Sequence, residues 1–399
     1  MSDALELDLY DHGLQDDPYP TYARLRTEAP LFHQERDDYW VLSRHADVWA
    51  ATRDDATYSN RMGVSIDPSA WSEHAHLVMS FLAMDPPEQV RLRRLVSKGF
   101  TPRRVRELTP QVQRLTDRYL DAAVERESFD WIGDFAGLLP MDVISEMMGV
   151  PESDRVEVRR LADLVVHRED GLRDVPQAGM DAAMELFGYY RELVARKRTH
   201  PADDLTTALL SAEDEGQRMT DEEINSFLFL MVVAGNETTT KLLGNAVFHL
   251  AQHPEQKAAV LADAGLVPAW IEETLRHDTS SQFLARLLLR DVTIDGVTAP
   301  AGSRLVFALG AANHDETVFT DPERFDLHRS PEELARILSF GGGRHFCLGA
   351  NLARMEARVA LDALVARVRD FDVDLAGCRR FYSANVRGFA SVPMKVSPR

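Results

Sequence analysis

Cysteine is nearly missing: the 399 residues contain only Cys347 and Cys378, in no CxxC pair. That excludes a disulfide framework and a four-ligand zinc module. Positive charge is also short. Lys and Arg total 45 against 64 Asp and Glu, a formal charge of -19, so no nucleic-acid partner is expected. No run approaches the ~18 uninterrupted apolar residues of a membrane span. The N-terminus, MSDALELDLYDHGLQDDPYP, is acidic and lacks an apolar core, so neither signal peptide nor membrane anchor is expected. No repeat, low-complexity linker or composition shift marks an internal boundary. Residues 1–399 therefore read as one domain of a monomeric, cytoplasmic protein, and 45% hydrophobic residues suffice for a large core.

Helical periodicity dominates what is present. Residues 102–127 and 178–200 carry apolar side chains at helical spacing. Strand signals are few: Tyr39 to Leu42, the pair 292–294 and 297–298 joined by Asp295-Gly296, and Ser303 to Leu309. The fold class is mainly α with a smaller β portion. The longest helix starts at Thr220, which forms a capping box with Glu223, and runs to about His253 before Pro254. Its stretch FLFLMVVA, 227–234, is apolar on every side and so predicts burial throughout.

A polar fault interrupts that helix. Gly235, Asn236, Glu237, Thr238, Thr239 and Thr240 follow the apolar run directly. Glycine weakens a helix by ~1 kcal/mol, and an unpartnered buried carboxylate costs several kcal/mol more. Two readings stand. The threonines bond back to carbonyls one turn earlier while Glu237 reaches solvent, or a Gly-Thr kink opens a groove that binds a small ligand and delivers protons to it.

The other unusual stretch is FGGGRHFCLG, residues 340–349. Three glycines permit a tight turn close to something flat or bulky. Cys347 then precedes a helix whose N-terminus favours a thiolate. Zinc lacks ligands, because only His345 stands close in sequence. A lone cysteine is ordinarily a small buried hydrophobe. With these neighbours it suits a single thiolate ligand to a large planar metal cofactor, and haem iron fits that chemistry.

Phe340-x-x-Gly343-x-His345-x-Cys347-x-Gly349 resembles the haem-binding signature of the cytochrome P-450 superfamily, in particular its soluble bacterial members. Ala234 to Thr239 resembles the family's oxygen-binding motif, and Glu273-Thr274-Leu275-Arg276 its ExxR motif. DPERF, 321–325, places Arg324 where the family usually has the arginine joining that pair.

The resemblance implies a long central helix over haem b, iron protoporphyrin IX, with a proximal cysteine loop. It implies Cys347 as the iron ligand, and Thr238 and Glu237 as the distal residues that meet dioxygen and relay protons. Gly235 would give oxygen room. Arg93, Arg286 and His345 would meet the haem propionates, with Gln89 standing where many relatives have His. Phe340, Gly341 and Gly349 complete the cofactor set. Glu273, Arg276 and Arg324 would form a structural network. A second departure is DTSSQ, 278–282, which lacks the proline many relatives carry.

The implied reaction inserts one oxygen atom from O2 into a lipophilic small molecule: a steroid, terpenoid, fatty acid or macrolide. Electrons would come from NAD(P)H through ferredoxin reductase and ferredoxin, docking on Arg103, Arg104, Arg344, Arg354 and Arg358. The pocket would be roofed by 62–81, 165–188, 229–233, 280–284 and 386–389, with Leu230, Val233, Phe283, Val386 and Phe389 making it apolar. A peroxide-driven peroxygenase and a non-catalytic haem sensor are the alternatives. Glu237 and Thr238 weigh against both.

Overall fold

The computed structural model describes residues 5–169 and 171–399. A small sheet and a large helical body divide the work of forming the site. In the sheet, β1 (Leu31–Gln34), β2 (Tyr39–Leu42), β3 (Tyr58–Ser59), β4 (Phe283–Leu288) and β5 (Arg304–Ala308) lie in the order β1-β2-β5-β4-β3. The β2–β5 pairing is parallel and the others antiparallel, with Val306 opposite Val41 on one side and Ala285 on the other. The Asp295-Gly296 turn joins the expected hairpin, Val292–Ile294 with Val297–Ala299. Both turn residues have positive φ, 49° and 82°, as a tight hairpin turn requires.

The helices that matter here are α1 (Glu88–Ser97), α2 (Thr109–Val124), α3 (Leu139–Met148), α4 (Arg155–Val166), α5 (Gln177–Thr199), α6 (Asp221–Ala251), α7 (Val267–His277) and α8 (Ala350–Arg367). The expected single helix over 102–127 is two, Pro102–Glu107 and α2, because Pro110 has no N–H to continue the first and its fixed φ suits the start of the second. Both arms of the Thr220–Glu223 capping box are present on α6. At 31 residues and ~1.5 Å per residue, α6 is about 46 Å long.

Three helices, α3, α4 and α5, pack on the first half of α6. Its second half is gripped by two fully buried tryptophans: Trp131 donates to the Leu243 carbonyl at 3.0 Å and Trp270 to the Ala246 carbonyl at 2.9 Å. Burying a large apolar side chain is worth roughly 1.5–3 kcal/mol, so these contacts fix α6 where the polar fault must sit. Near the C-terminus, β6 (Arg379–Phe381) and β7 (Gly388–Ser391) form a two-stranded hairpin packed on α6. No helix among the described residues is long and apolar enough to cross a membrane.

Candidate active site

A cavity of about 230 Å³ lies between α6 and the cysteine loop. From α6 it is faced by Leu230, Ala234, Gly235 and Thr238, and from the loop by Phe340, Gly341, His345, Cys347 and Gly349. The loop closes on itself through a 2.9 Å bond from Cys347 N–H to the Phe340 carbonyl. Gly341 and Gly343 have φ of +67° and +61°. A Cβ on Gly343 would stand 2.1 Å from the Thr52 carbonyl oxygen, so glycine is required there twice over, by conformation and by space. The glycine run thus presses backbone against residues 52 and 53 on one side while Gly341 faces the cavity on the other.

Cys347 opens onto the cavity rather than onto bulk solvent. Burial pushes its thiol up, whereas the N–H groups of Gly349 and Ala350 and the charges of Arg93 and Arg354 pull it down. Burial wins. The helix N-terminus and the two arginines do not offset burial here.

One wall of the cavity concentrates cations. Arg286, buried on β4, spends one N–H on the Ala285 carbonyl at 2.7 Å. Arg93 on α1 donates to the Phe346 carbonyl at 2.5 Å. Among the described residues neither has a carboxylate within 4.0 Å. Burial, opposed by the more distant Asp85 and Asp55, lowers Arg286 to about 10. His345, with Nδ1 buried and unpartnered, is pushed down to about 3 by burial and then by Arg286, Arg93 and Arg344. Crowded cations without anions fit a ligand bearing two carboxylates, as haem does. Gln89 lies behind this wall, its amide donating to the Arg344 carbonyl at 2.9 Å and its Oε1 unpartnered.

On the other side α6 remains helical through the polar fault. Thr238 Oγ1 bonds back to the Ala234 carbonyl at 3.0 Å, and Ser280 Oγ donates to the Thr238 carbonyl at 2.8 Å. A Cβ at Gly235 would meet Ile144 at 3.8 Å, an ordinary contact, so this glycine leaves space rather than relieving a clash. Glu237 is buried, not exposed, and pairs with Lys241 at 3.0 Å. Thr239 and Thr240 are buried, and Thr240 bonds to the Ala136 carbonyl. On α4, burial followed by the charge of Glu237 pushes Asp163 up to about 6, opposed by Arg159 and Lys241.

Three residues escaped the sequence reading. Glu356 on α8 lines the cavity fully enclosed, one oxygen unpartnered, and burial drives its carboxyl well up. Lys241, one helical turn beyond Glu237, was legible from i,i+4 spacing alone. The third corrects the expected network. Arg324 is exposed and only approaches Asp326 at 3.9 Å, whereas Arg329 Nε bonds Glu273 at 2.9 Å beside the bidentate Arg276. Arg276 also donates to the Asn313 carbonyl; Asn313 holds Leu338 N–H and Ser339, and Ser339 bonds the Leu275 carbonyl. The network thus reaches the base of the cysteine loop.

Of the expected pocket residues, Leu230 is on the wall, with Phe81, Ser280, Ser281 and Leu284 from the expected segments. Val233, Phe283, Val386 and Phe389 are elsewhere: Phe283 and Val386 flank a separate small crevice beside Tyr22, and Phe389 packs tilted against Phe248 with ring centroids 4.4 Å apart. Without a proline, the 278–282 loop is shaped by buried Asp278, bonded to His249 and Arg387, and by Gln282, bonded to Tyr22. The expected basic patch is largely neutralised. Arg103 and Arg104 meet Glu107, Arg344 meets Asp55, Arg354 meets Glu272 and Arg358 meets Asp362.

A glycine-rich cysteine loop facing a long helix across an apolar, cation-walled cavity is the layout of a haem-thiolate oxygenase. A sequence model described as Cytochrome P450 matches residues 172–377. A Mycobacterium tuberculosis protein named as cytochrome P450 123 is 55% identical over 99% of this chain and 98% of its own. The structure of CYP109Q5 from Chondromyces apiculatus superposes with TM-score 0.88 at 34% identity, covering 98% of each chain. That of CYP109E1 from Bacillus megaterium, in complex with corticosterone, gives 0.85 at 31% identity, covering 96% of this chain and 99% of that one. The chain belongs to the cytochrome P450 family, whose members are haem-dependent monooxygenases.

Proposed function

We propose that residues 1–399 work as one monomeric cytoplasmic unit that inserts an atom of dioxygen into a lipophilic small molecule, steroid-like compounds being the first class to test. The observation that carries this is the meeting, in one apolar cavity, of Cys347 with Arg286, Arg93 and His345. Haem iron held by a thiolate supplies the O–O cleavage chemistry. Cys347 would hold the iron, and the three basic residues the propionates. Phe340, Gly341 and Gly349 shape the cradle, and Gln89 braces it from behind through Arg344.

The distal side handles protons. Thr238 lines the cavity, and Glu237, the residue before it on the same helix, lies just outside. A hydroxyl and a carboxylate in sequence can pass protons inward while the apolar wall of Leu230, Ile144 and Phe81 keeps bulk water from the substrate. Electrons would arrive from NAD(P)H through ferredoxin reductase and ferredoxin. The paired arginines near the loop offer directional contacts to an acidic partner rather than a bare positive field.

The substrate reading leans on apolar lining and on the corticosterone complex of CYP109E1. The test is absorbance titration of the ferric holoprotein with corticosterone, a monoterpene, palmitic acid and a macrolide aglycone. Saturable displacement of the low-spin spectrum by at least one, and an oxygenated product with NAD(P)H, reductase and ferredoxin, is expected. Oxidation only with added peroxide, or binding without any turnover, would overturn the monooxygenase reading.

A further inference from the structure

Lys241 is a buried lysine with no place in the reaction as described above. Its Nζ meets Glu237 at 3.0 Å, donates to the Phe389 carbonyl at 3.2 Å and sits 3.7 Å over the Phe381 ring. Room for its stem is made by Gly388. A Cβ there would stand 2.5 Å from Lys241 Cβ and 2.8 Å from its Cγ and Cδ, yet Gly388 has no left-handed φ. This glycine therefore serves space alone. Burying an ammonium costs several kcal/mol unless paired, and an apolar side chain at the same helix position would be cheaper. A local rule broken this deliberately beside a functional helix turn needs a reason.

Helix geometry supplies one. Along α6 the cavity is lined by Ala234, Gly235, Thr238, Thr239 and Leu242, and Glu237 falls outside that stripe. Glu237 shares its face instead with Lys241 one turn on, towards the β6–β7 hairpin. We propose that Lys241 is the positioning residue for Glu237, parking its carboxylate out of the cavity between proton deliveries. Glu237 takes a proton from the solvent side, leaves Lys241 as a neutral acid and passes that proton to the Thr238 hydroxyl as the hydroxyl gives its own proton to the cavity side. As a carboxylate again, it returns to the ammonium. Charge neutralisation makes each release reversible, because only the ionised form is attracted back.

This rests on the reading of Glu237 as the relay acid, and the experiment separates the two. Haem-loaded wild type, Lys241→Met, Lys241→Gln, Lys241→Arg, Glu237→Gln and the Lys241→Met/Glu237→Gln double variant are compared. The first readout is the infrared band of a neutral carboxylic acid at neutral pH. The second is peroxide released per NAD(P)H consumed with a surrogate ferredoxin and reductase. With Asp163→Asn present throughout, so that this neighbouring carboxyl cannot supply the signal, a new carboxyl band is expected in Lys241→Met and Lys241→Gln, absent from Lys241→Arg and abolished in the double variant. The peroxide share should rise several-fold in Glu237→Gln and in both neutral variants at 241, and return towards wild type in Lys241→Arg. Merely pinning the hairpin would lower the unfolding temperature without creating the band. An unchanged peroxide share in Glu237→Gln sinks the relay reading. A raised share there, with no band in either neutral variant at 241, sinks the role of Lys241 alone.

Discussion

Arg329, not Arg324, should carry the stability of the network beneath the cysteine loop. Glu273 and Arg276 are fully buried and Arg329 nearly so. Besides Glu273, Arg329 donates to the Thr320 carbonyl at 2.7 Å and the Arg324 carbonyl at 3.0 Å. Arg329→Met removes one partner of a buried pair, a change that costs about 3–5 kcal/mol. At about 2.1 cal/mol/K per residue, 399 residues give an unfolding entropy of roughly 0.84 kcal/mol/K, so Tm should fall by roughly 4–6 °C. Arg324 contributes through its backbone carbonyl, which Arg276 and Arg329 both contact, and its side chain is 66% exposed. Arg324→Ala should therefore stay within ~0.5 kcal/mol, less than about 1 °C. Calorimetry or dichroism at equal haem occupancy decides it. Equal losses for the two variants, or a larger one for Arg324→Ala, would refute the reasoning.

Three further outcomes follow from the same geometry. Gly343→Ala combines left-handed strain with overlap on the Thr52 carbonyl, together about 2–5 kcal/mol, whereas Gly341→Ala, with nothing within 4 Å of its Cβ, should cost only the strain of about 1–2 kcal/mol. Thermal unfolding of the two haem-free variants checks this. Arg286→Leu removes a charged donor worth about 1.5–3 kcal/mol, so haem transfer to apomyoglobin should accelerate roughly ten- to hundredfold. His249, His277 and His314 are buried with their protonation depressed, in each case first by burial. The unfolded chain then binds protons that the folded one refuses. Their contribution is fully present above about pH 6.5 and is lost as pH falls below it, by up to about 4 kcal/mol per pH unit for three sites. A flat Tm between pH 7 and pH 5 would contradict it.

Local patterns were the legible part of this fold. The Thr220 capping box, the Asp295-Gly296 hairpin and the turn at Cys347 each depend on residues close together in sequence, and each formed where the letters placed it. What stayed hidden depends on distant packing. DPERF supplied an arginine at the customary spacing, but the carboxylate is met by Arg329, five residues on, because the 320–329 turn folds its backbone carbonyls onto both guanidiniums. Likewise Phe283 and Leu284 are neighbours on β4 pointing to opposite faces, so only Leu284 reaches the cavity. Pro110 was visible and should have divided the helix over 102–127. The Glu237–Lys241 spacing was equally visible, but its importance emerges only once Gly388 and Phe381 are seen to enclose the lysine.

The central claim is one bond, from Cys347 sulfur to haem iron. The most direct measurement is the absorbance of the reduced, carbon-monoxide-bound holoprotein, wild type beside Cys347→Ser at equal haem content. The red-shifted Soret band of thiolate ligation is expected in the first and absent from the second. That band missing from fully loaded wild type, or surviving the substitution, would contradict the account.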